Sequence, residues 1–594
     1  MQLQIKVRIE EIAAGAVLGA SLGLAAATPI AVGMPSLIPT FSAGVWGFAQ
    51  SAAAFCLACG GAVLGGWLAS TQERDSHSRG ARYYSDPVAA VRALQSAEVK
   101  QFSARQQRGG VRGIEIGGVQ LARSREVGHV YAVGLPGSGK TVLLTSLIDQ
   151  AIARGDRIIL HDPKGDFIER YFNSKNTILL GPWDERAALW DASADIDSPA
   201  LADEFGASVA GRGEGQNKVF HDSAGVMIAG LIRAELRQGA SWSWKDLASV
   251  LSGDPFTLIR RAAEGNAQVK TLMPSAFIDA DEMTQGEKAV LSVMATGVTW
   301  LLNYAALDAA DSDRGRFSLR RWLLREAHDN VQIVVLNSHT VYQTACESIV
   351  GAMLASVAAI ASSPLLPEIG ADSAGGYWAV LDEFPQLGAT ALAKIQQIAE
   401  LGRSRGMRMV TALQDESQLT AKVGGEKAAP MLAMQSTRIY MRSSDKTAEA
   451  VCKRVGEREV MRLNSTAESG AVQGKTKQVV RDPVIHPGEL MGLRVRRQEP
   501  PVGVELVMHI EDVLGKLVQP FPEARSAGAE RFIESETWRN GSLPTATPTA
   551  TPAVVQPASG GAVAGRPSEF ADVGDEAESE ADQMNVGSAP LNFL

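Results

Sequence analysis

Gly134-Leu135-Pro136-Gly137-Ser138-Gly139-Lys140-Thr141 follows the apolar run Val130-Tyr131-Ala132-Val133 and opens into Val142-Leu143-Leu144. Strand, glycine-rich loop and helix thus come in the order that a phosphate-binding loop needs. In that geometry the glycines let backbone N–H groups curl around a phosphate at a helix N-terminus. Lys140 reaches the outer phosphates, and the Thr141 hydroxyl takes a place on Mg2+. The stretch predicts binding of a nucleoside triphosphate, with Gly134 to Thr141 as its cradle.

A phosphate loop needs an acidic partner to hold the metal and activate water. Tyr377-Trp378-Ala379-Val380-Leu381 reads as a buried strand ending in Asp382-Glu383, as expected at the C-terminal edge of a parallel sheet. Asp382 is expected to hold Mg2+ through water, and Glu383 to polarise the attacking water. After the helical stretch Ala391 to Leu401 comes Gly402-Arg403-Ser404-Arg405-Gly406-Met407-Arg408, then the strand Met409-Val410-Thr411-Ala412-Leu413, which ends at Gln414. These arginines fit a solvated face or an arginine inserted into a neighbouring subunit's site. A glutamine at a strand end beside the metal fits a γ-phosphate sensor, and the residues alone leave both assignments open.

Ile158-Ile159-Leu160-His161-Asp162-Pro163-Lys164-Gly165-Asp166-Phe167 is a further apolar strand running into a polar turn. Other strands are expected at Thr177 to Leu180, Val331 to Leu336, Arg438 to Met441 and Glu505 to His509. Strands alternating with helical stretches argue a doubly wound α/β domain. Between about Pro199 and Arg320 the alternation breaks into successive amphipathic helices, for example Ser223 to Leu236, Trp244 to Leu251 and Glu287 to Tyr304. An all-helical insertion in the nucleotide-binding core accounts for this.

The 594 residues are too many for one core. A net charge of −9 gives no support to a broad basic nucleic-acid surface, although a sum hides local channels. The four cysteines are scattered and imply no disulfide framework. Two uncharged apolar segments, Ile12 to about Val32 and about Val45 to Leu68, approach the roughly 20 residues that span a bilayer. Lys6 and Arg8 before them, and Arg74, Arg79 and Arg82 after, put both ends of this hairpin in the cytoplasm. The competing reading of the first segment is a cleaved signal peptide. Gly15, Gly19 and Gly23, and Gly61 and Gly65, recur at the four-residue spacing that lets membrane helices approach closely. Pro-Thr-Ala repeats near residue 545 and an acidic run from Glu569 to Asp582 predict a disordered tail. Leu591-Asn592-Phe593-Leu594 offers that tail apolar anchors.

Taken together these residues resemble the type IV secretion coupling proteins, the TraD/TraG group of conjugation ATPases. The likeness rests on the membrane hairpin, Gly134 to Thr141, His161 to Asp166, Leu180-Gly181-Pro182-Trp183-Asp184 with Trp190-Asp191, Leu381-Asp382-Glu383-Phe384, Gly402-Arg403 through Gln414, and Thr447-Ala448-Glu449-Ala450. It covers roughly Gly113 to Pro522 in order. The resemblance implies a RecA-like P-loop ATPase with an all-α insertion, a transmembrane hairpin and a disordered tail. It implies a homohexamer in the bacterial inner membrane, with the ATPase and C-terminus in the cytoplasm. ATP and Mg2+ would be its cofactors, and relaxase-bound single-stranded DNA and the secretion channel its partners. By motif match Lys140 and Glu383 are catalytic, Arg403 is the finger acting in trans, Gln414 is the sensor, and Thr141 and Asp382 serve the metal. The domains implied are a hairpin at 1–70, a linker at 71–112, ATPase parts at 113–198 and 321–525, an insertion at 199–320 and a tail at 526–594. One departure is a short connector between the membrane helices, which leaves little periplasmic surface for the channel. Two rival readings are a septal pump for double-stranded DNA and a protein-substrate receptor switched by ATP.

Overall fold

The computed structural model describes residues 76–101 and 112–540, apart from 212, 214, 240–241, 279–281, 311–313, 370–374, 466–474 and 525–527. The expected membrane hairpin, and the tail beyond residue 540, lie outside the described residues. The chain divides into two units. In the smaller, Glu457–Ser465 pairs antiparallel with Ser76–Arg79 on one side and Lys475–Pro483 on the other.

The larger unit is built on a mixed sheet. Its strands include β1 (Val130–Val133), β2 (Arg157–Asp162), β3 (Thr177–Leu180), β4 (Ile333–Asn337), β5 (Tyr377–Leu381), β6 (Met407–Leu413), β7 (Thr437–Tyr440), β8 (Gly503–Ile510) and β9 (Val513–Gln519). In space they run β9-β8-β7-β1-β6-β5-β2-β4-β3. From β7 to β3 all pairs are parallel, whereas β7–β8 and β8–β9 are antiparallel. Strands β1, β2, β5 and β6 are buried at every position, because helices cover both faces of such a sheet. That is why each reads as a continuous apolar run rather than an alternating one.

The helical insertion leaves the sheet after Leu189–Trp190 and returns at Arg316–Phe317, and these two short strands pair in parallel. Asp195 fastens the junction: it accepts from Trp190 Nε1 at 2.6 Å, Leu319 N at 3.1 Å, Arg320 N at 3.0 Å, and from Ser318 Oγ. Above it Trp190, Phe205, Trp244, Trp300 and Tyr304 form one aromatic cluster. The helices themselves start on strong signals, Ser198 before Pro199, the Ser243/Asp246 capping box, and Asp254 before Pro255. Two described helices, spanning Gln285–Asp308 and Thr340–Ser362, are long and apolar enough to cross a membrane. Half or more of each apolar window is buried inside the body, as in core helices.

Two stretches differ from the sequence reading. Residues 71–112, expected as a linker, contain the helix Pro87–Gln101, which packs on β9 with Ala90 and Leu94 fully buried. Gly515 makes room for it, since a Cβ there would stand 2.9 Å from the Ala90 Cβ. Residues 528–540, expected within the tail, lie on the body instead. Ile533 O accepts from Glu185 N at 2.8 Å, Ser535 N donates to Trp183 O at 2.9 Å, and Trp538 packs edge-on against Trp183. A few aromatic residues anchor this strap, too few to outweigh its polar composition in a sequence reading.

Candidate active site

The phosphate loop is fixed from both neighbouring strands. Gly134 N donates to Leu413 O at the end of β6 (3.2 Å), and Leu135 N donates to Arg442 O beyond β7 (2.8 Å). Gly137 and Gly139 take φ values of 71° and 98°, a region that side chains disfavour. Space forbids a side chain as well: a Cβ on Gly139 would stand 2.6 Å from both Val504 methyls. Gly139→Ala is therefore expected to lose roughly 1–3 kcal/mol of stability from backbone strain alone. It should also displace Lys140, so thermal melting and nucleotide binding should both fall, whereas unchanged binding would contradict the tight loop.

Lys140 begins the helix Lys140–Ala153 and is mostly buried, with Nζ donating to Gly134 O at 2.6 Å. Burial pushes its pKa down, while the charges of Glu383 and Asp382 push it up. Those two acids follow β5, separated from the loop's strand by β6 alone. The loop, the acids and the end of β6 therefore share the carboxyl edge of the sheet, where ligands of open α/β sheets bind.

Glu383 is 1 % exposed and has φ of 50°, a left-handed conformation that aims the side chain across to β6. There its Oε2 accepts from Gln414 Nε2 at 2.8 Å and its Oε1 from Gln414 N at 3.3 Å. Asp382 is also buried, and burial raises its carboxyl to about 6 against the opposing pull of Lys164 and Lys140. Its Oδ1 has no partner among the described residues. An orphaned buried carboxylate oxygen within electrostatic reach of the loop's Lys140 fits a hard divalent cation. Among the described residues no set of three His, Cys, Asp or Glu could hold a metal unaided. The cation would thus draw its other ligands from phosphates and water, the usual habit of Mg2+.

His161, at the end of β2, holds Asp382 from behind. Its Nδ1 lies 2.7 Å from Asp382 O, which can only accept, so Nδ1 carries the proton. Nε2 then accepts from Ser338 Oγ at 2.9 Å. Burial lowers this imidazole to about 4, so it stays neutral at physiological pH. Asp162 shapes the backbone instead. Its oxygens accept from Gly165 N, Phe167 N and Ile168 N at 2.8–2.9 Å, which builds the turn into the helix Asp166–Tyr171. Lys164, exposed on that turn, acts electrostatically on Asp382.

The structure thus brings together Gly134 to Thr141, Asp382, Glu383 and Gln414. It does not bring Arg403 to them. Arg403 is exposed just before β6, at the opposite end of that strand from Gln414. The seven residues of β6 separate the two by roughly 23 Å at the strand's rise of about 3.3 Å per residue. Its neighbours are tied down: Arg405 Nη1 donates to Leu366 O at 2.8 Å, and the fully buried Arg408 pairs with Glu126 at 2.8 Å. Reading the sequence alone missed Ser338, Val504 and Arg442. Only Arg442 carried a signal, a cation directly after a strand end.

Known proteins share this arrangement of elements. A family model described as the type IV secretion-system coupling protein DNA-binding domain matches residues 113–500. Coupling protein TraD of Escherichia coli strain K12 is 23% identical over 361 residues, 60% of this chain and 48% of TraD. The chain therefore spans about half the length of that relative. The bacterial conjugative coupling protein TrwBdeltaN70, in an unbound monoclinic form, is similar at TM-score 0.60 and 22% identity, covering 77% of this chain and 97% of its own. The plasmid coupling protein TrwB in complex with ADP and Mg2+ is similar at TM-score 0.59 and 21% identity, covering 78% and 99%. The fold is shared with these structures.

Proposed function

This chain belongs to the type IV secretion-system coupling proteins, and on that premise we propose that it is an ATP hydrolase of the bacterial inner membrane. It couples hydrolysis to the passage of relaxase-bound single-stranded DNA into a secretion channel during conjugation. One observation carries the enzymatic part: loop, Asp382, Glu383 and Gln414 converge on adjacent strand ends, with Glu383 held by Gln414. The solved complexes of TrwB with ADP and Mg2+, and with the ATP analogue ADPNP, support the choice of ligand.

In this reading the loop amides and Lys140 hold the β- and γ-phosphates. Thr141 and Asp382 serve the Mg2+, which when bound neutralises charge on the phosphates. Glu383 polarises the attacking water, and Gln414 reports the γ-phosphate through its bond to Glu383. Arg403 completes the site of a neighbouring subunit in a homohexamer, a role supported by its exposure and by its distance from its own chain's loop.

Mixing tests the trans arrangement. Arg403→Ala and Lys140→Ala chains should each be inactive alone and regain ATP turnover when co-assembled, because some interfaces then combine an intact loop with an intact arginine. No recovery in mixed rings, confirmed by crosslinking, would remove Arg403 from the site.

A further inference from the structure

We propose that Arg442 is a second arginine of the nucleotide site, acting in cis on the α- and β-phosphates. The inference rests on the nucleotide reading above and deepens it. Arg442 lies two residues beyond β7, the strand beside the loop's own strand β1. Its carbonyl oxygen accepts from Leu135 N at 2.8 Å, so its backbone is part of the loop's wall. The side chain is exposed and turned over the loop: Nη2 is 3.5 Å from Pro136 O and 3.9 Å from where a Cβ on Gly137 would stand. Among the described residues no carboxylate pairs with it. A guanidinium at the rim of an amide cradle, with free donors, is suited to phosphate oxygens.

Topology says which phosphates. Asp382 and Glu383 stand two strands from β1 on the β6 side, and β7 stands on the other side. The hydrolysed γ-phosphate points toward the acids. A group arriving from β7 meets the end of the triphosphate that ADP and ATP share. The turn carrying Arg442 is also held in place, since Ser444 Oγ donates to Asp415 Oδ2 at 2.8 Å, next to Gln414. Arg442 O and Leu413 O therefore hold the loop from opposite sides.

The test titrates fluorescent ADP and ATP, with Mg2+, into the 594-residue chain carrying Arg442→Ala, Arg442→Gln or Lys140→Ala. The tie from Leu135 N uses the main chain and survives each substitution at Arg442. Glutamine removes the charge and keeps a polar amide on the same unbranched stem, two bonds short of the Nη2 position. Both Arg442 variants should weaken ADP and ATP equally, by about 10- to 100-fold, the size of a lost charged hydrogen bond. KM should rise with kcat little changed, as when uniform binding is removed. Wild-type affinity in Arg442→Gln would remove the Arg442 guanidinium from the phosphates and overturn the proposal. A loss confined to ATP would overturn the assignment to the shared phosphates. Lys140→Ala with undiminished affinity would instead sink the nucleotide reading beneath it.

Discussion

Lys140→Ala is expected to lower ATP turnover by about 10²- to 10³-fold or more, the scale of losing one preorganised charge stabiliser. The amine interacts with both Glu383 and Asp382, and on Asp382 it acts alongside Lys164. Without it the two acids face each other less compensated, and Asp382, already raised to about 6 by burial, should bind its proton more tightly still. Phosphate release by the variant, measured beside nucleotide binding, checks this. Turnover within a few-fold of the parent would separate the loop from the chemistry.

Glu383→Gln should have a different signature. Glutamine is nearly isosteric, and its carbonyl oxygen can still accept from Gln414 Nε2, which now bonds Glu383 Oε2 at 2.8 Å. The left-handed backbone at this position, φ 50°, is unchanged by the swap. What disappears is the basic oxygen that polarises water, a contribution of about 10²- to 10⁴-fold. The expected outcome is intact ATP binding with hydrolysis lost, so that rings trapped with ATP accumulate. Measuring bound ATP and released phosphate on one sample decides it. Loss of binding along with hydrolysis would mean that Glu383 shapes the pocket rather than activates water.

The sequence made the edge of the sheet that carries the loop and the acids readable because its signals are local. A strand, a glycine loop and a helix start are contiguous, and strands buried on both faces leave unbroken apolar runs. Thr177–Leu180 and Tyr377–Leu381 therefore emerge with the same ends in sequence and structure. Strand β6 starts two residues earlier than expected, at Met407, because Arg408 looked solvated. Its charge is met by Glu126, far away in the chain, and its guanidinium lies over Trp378. The helix Pro87–Gln101 and the strap at 528–540 were hidden for the same reason. Their stability comes from partners such as Gly515, Trp183 and His339, hundreds of positions distant. Within the site, no local pattern announces that His161 holds the Asp382 carbonyl or that Val504 closes on Gly139. Arg403 is the reverse case: the family resemblance picks it out, but the fold carries it away from its own loop.

The central claim is that ATP hydrolysis at Lys140 and Glu383 drives DNA transfer. It is tested most directly by conjugation frequency from donor cells carrying Lys140→Ala or Glu383→Gln in place of the parent chain, with membrane levels of each confirmed equal. Both substitutions are predicted to reduce transfer to the level of donors lacking the chain. Parental transfer by either would contradict the motor and leave nucleotide binding, at most, as an assembly signal.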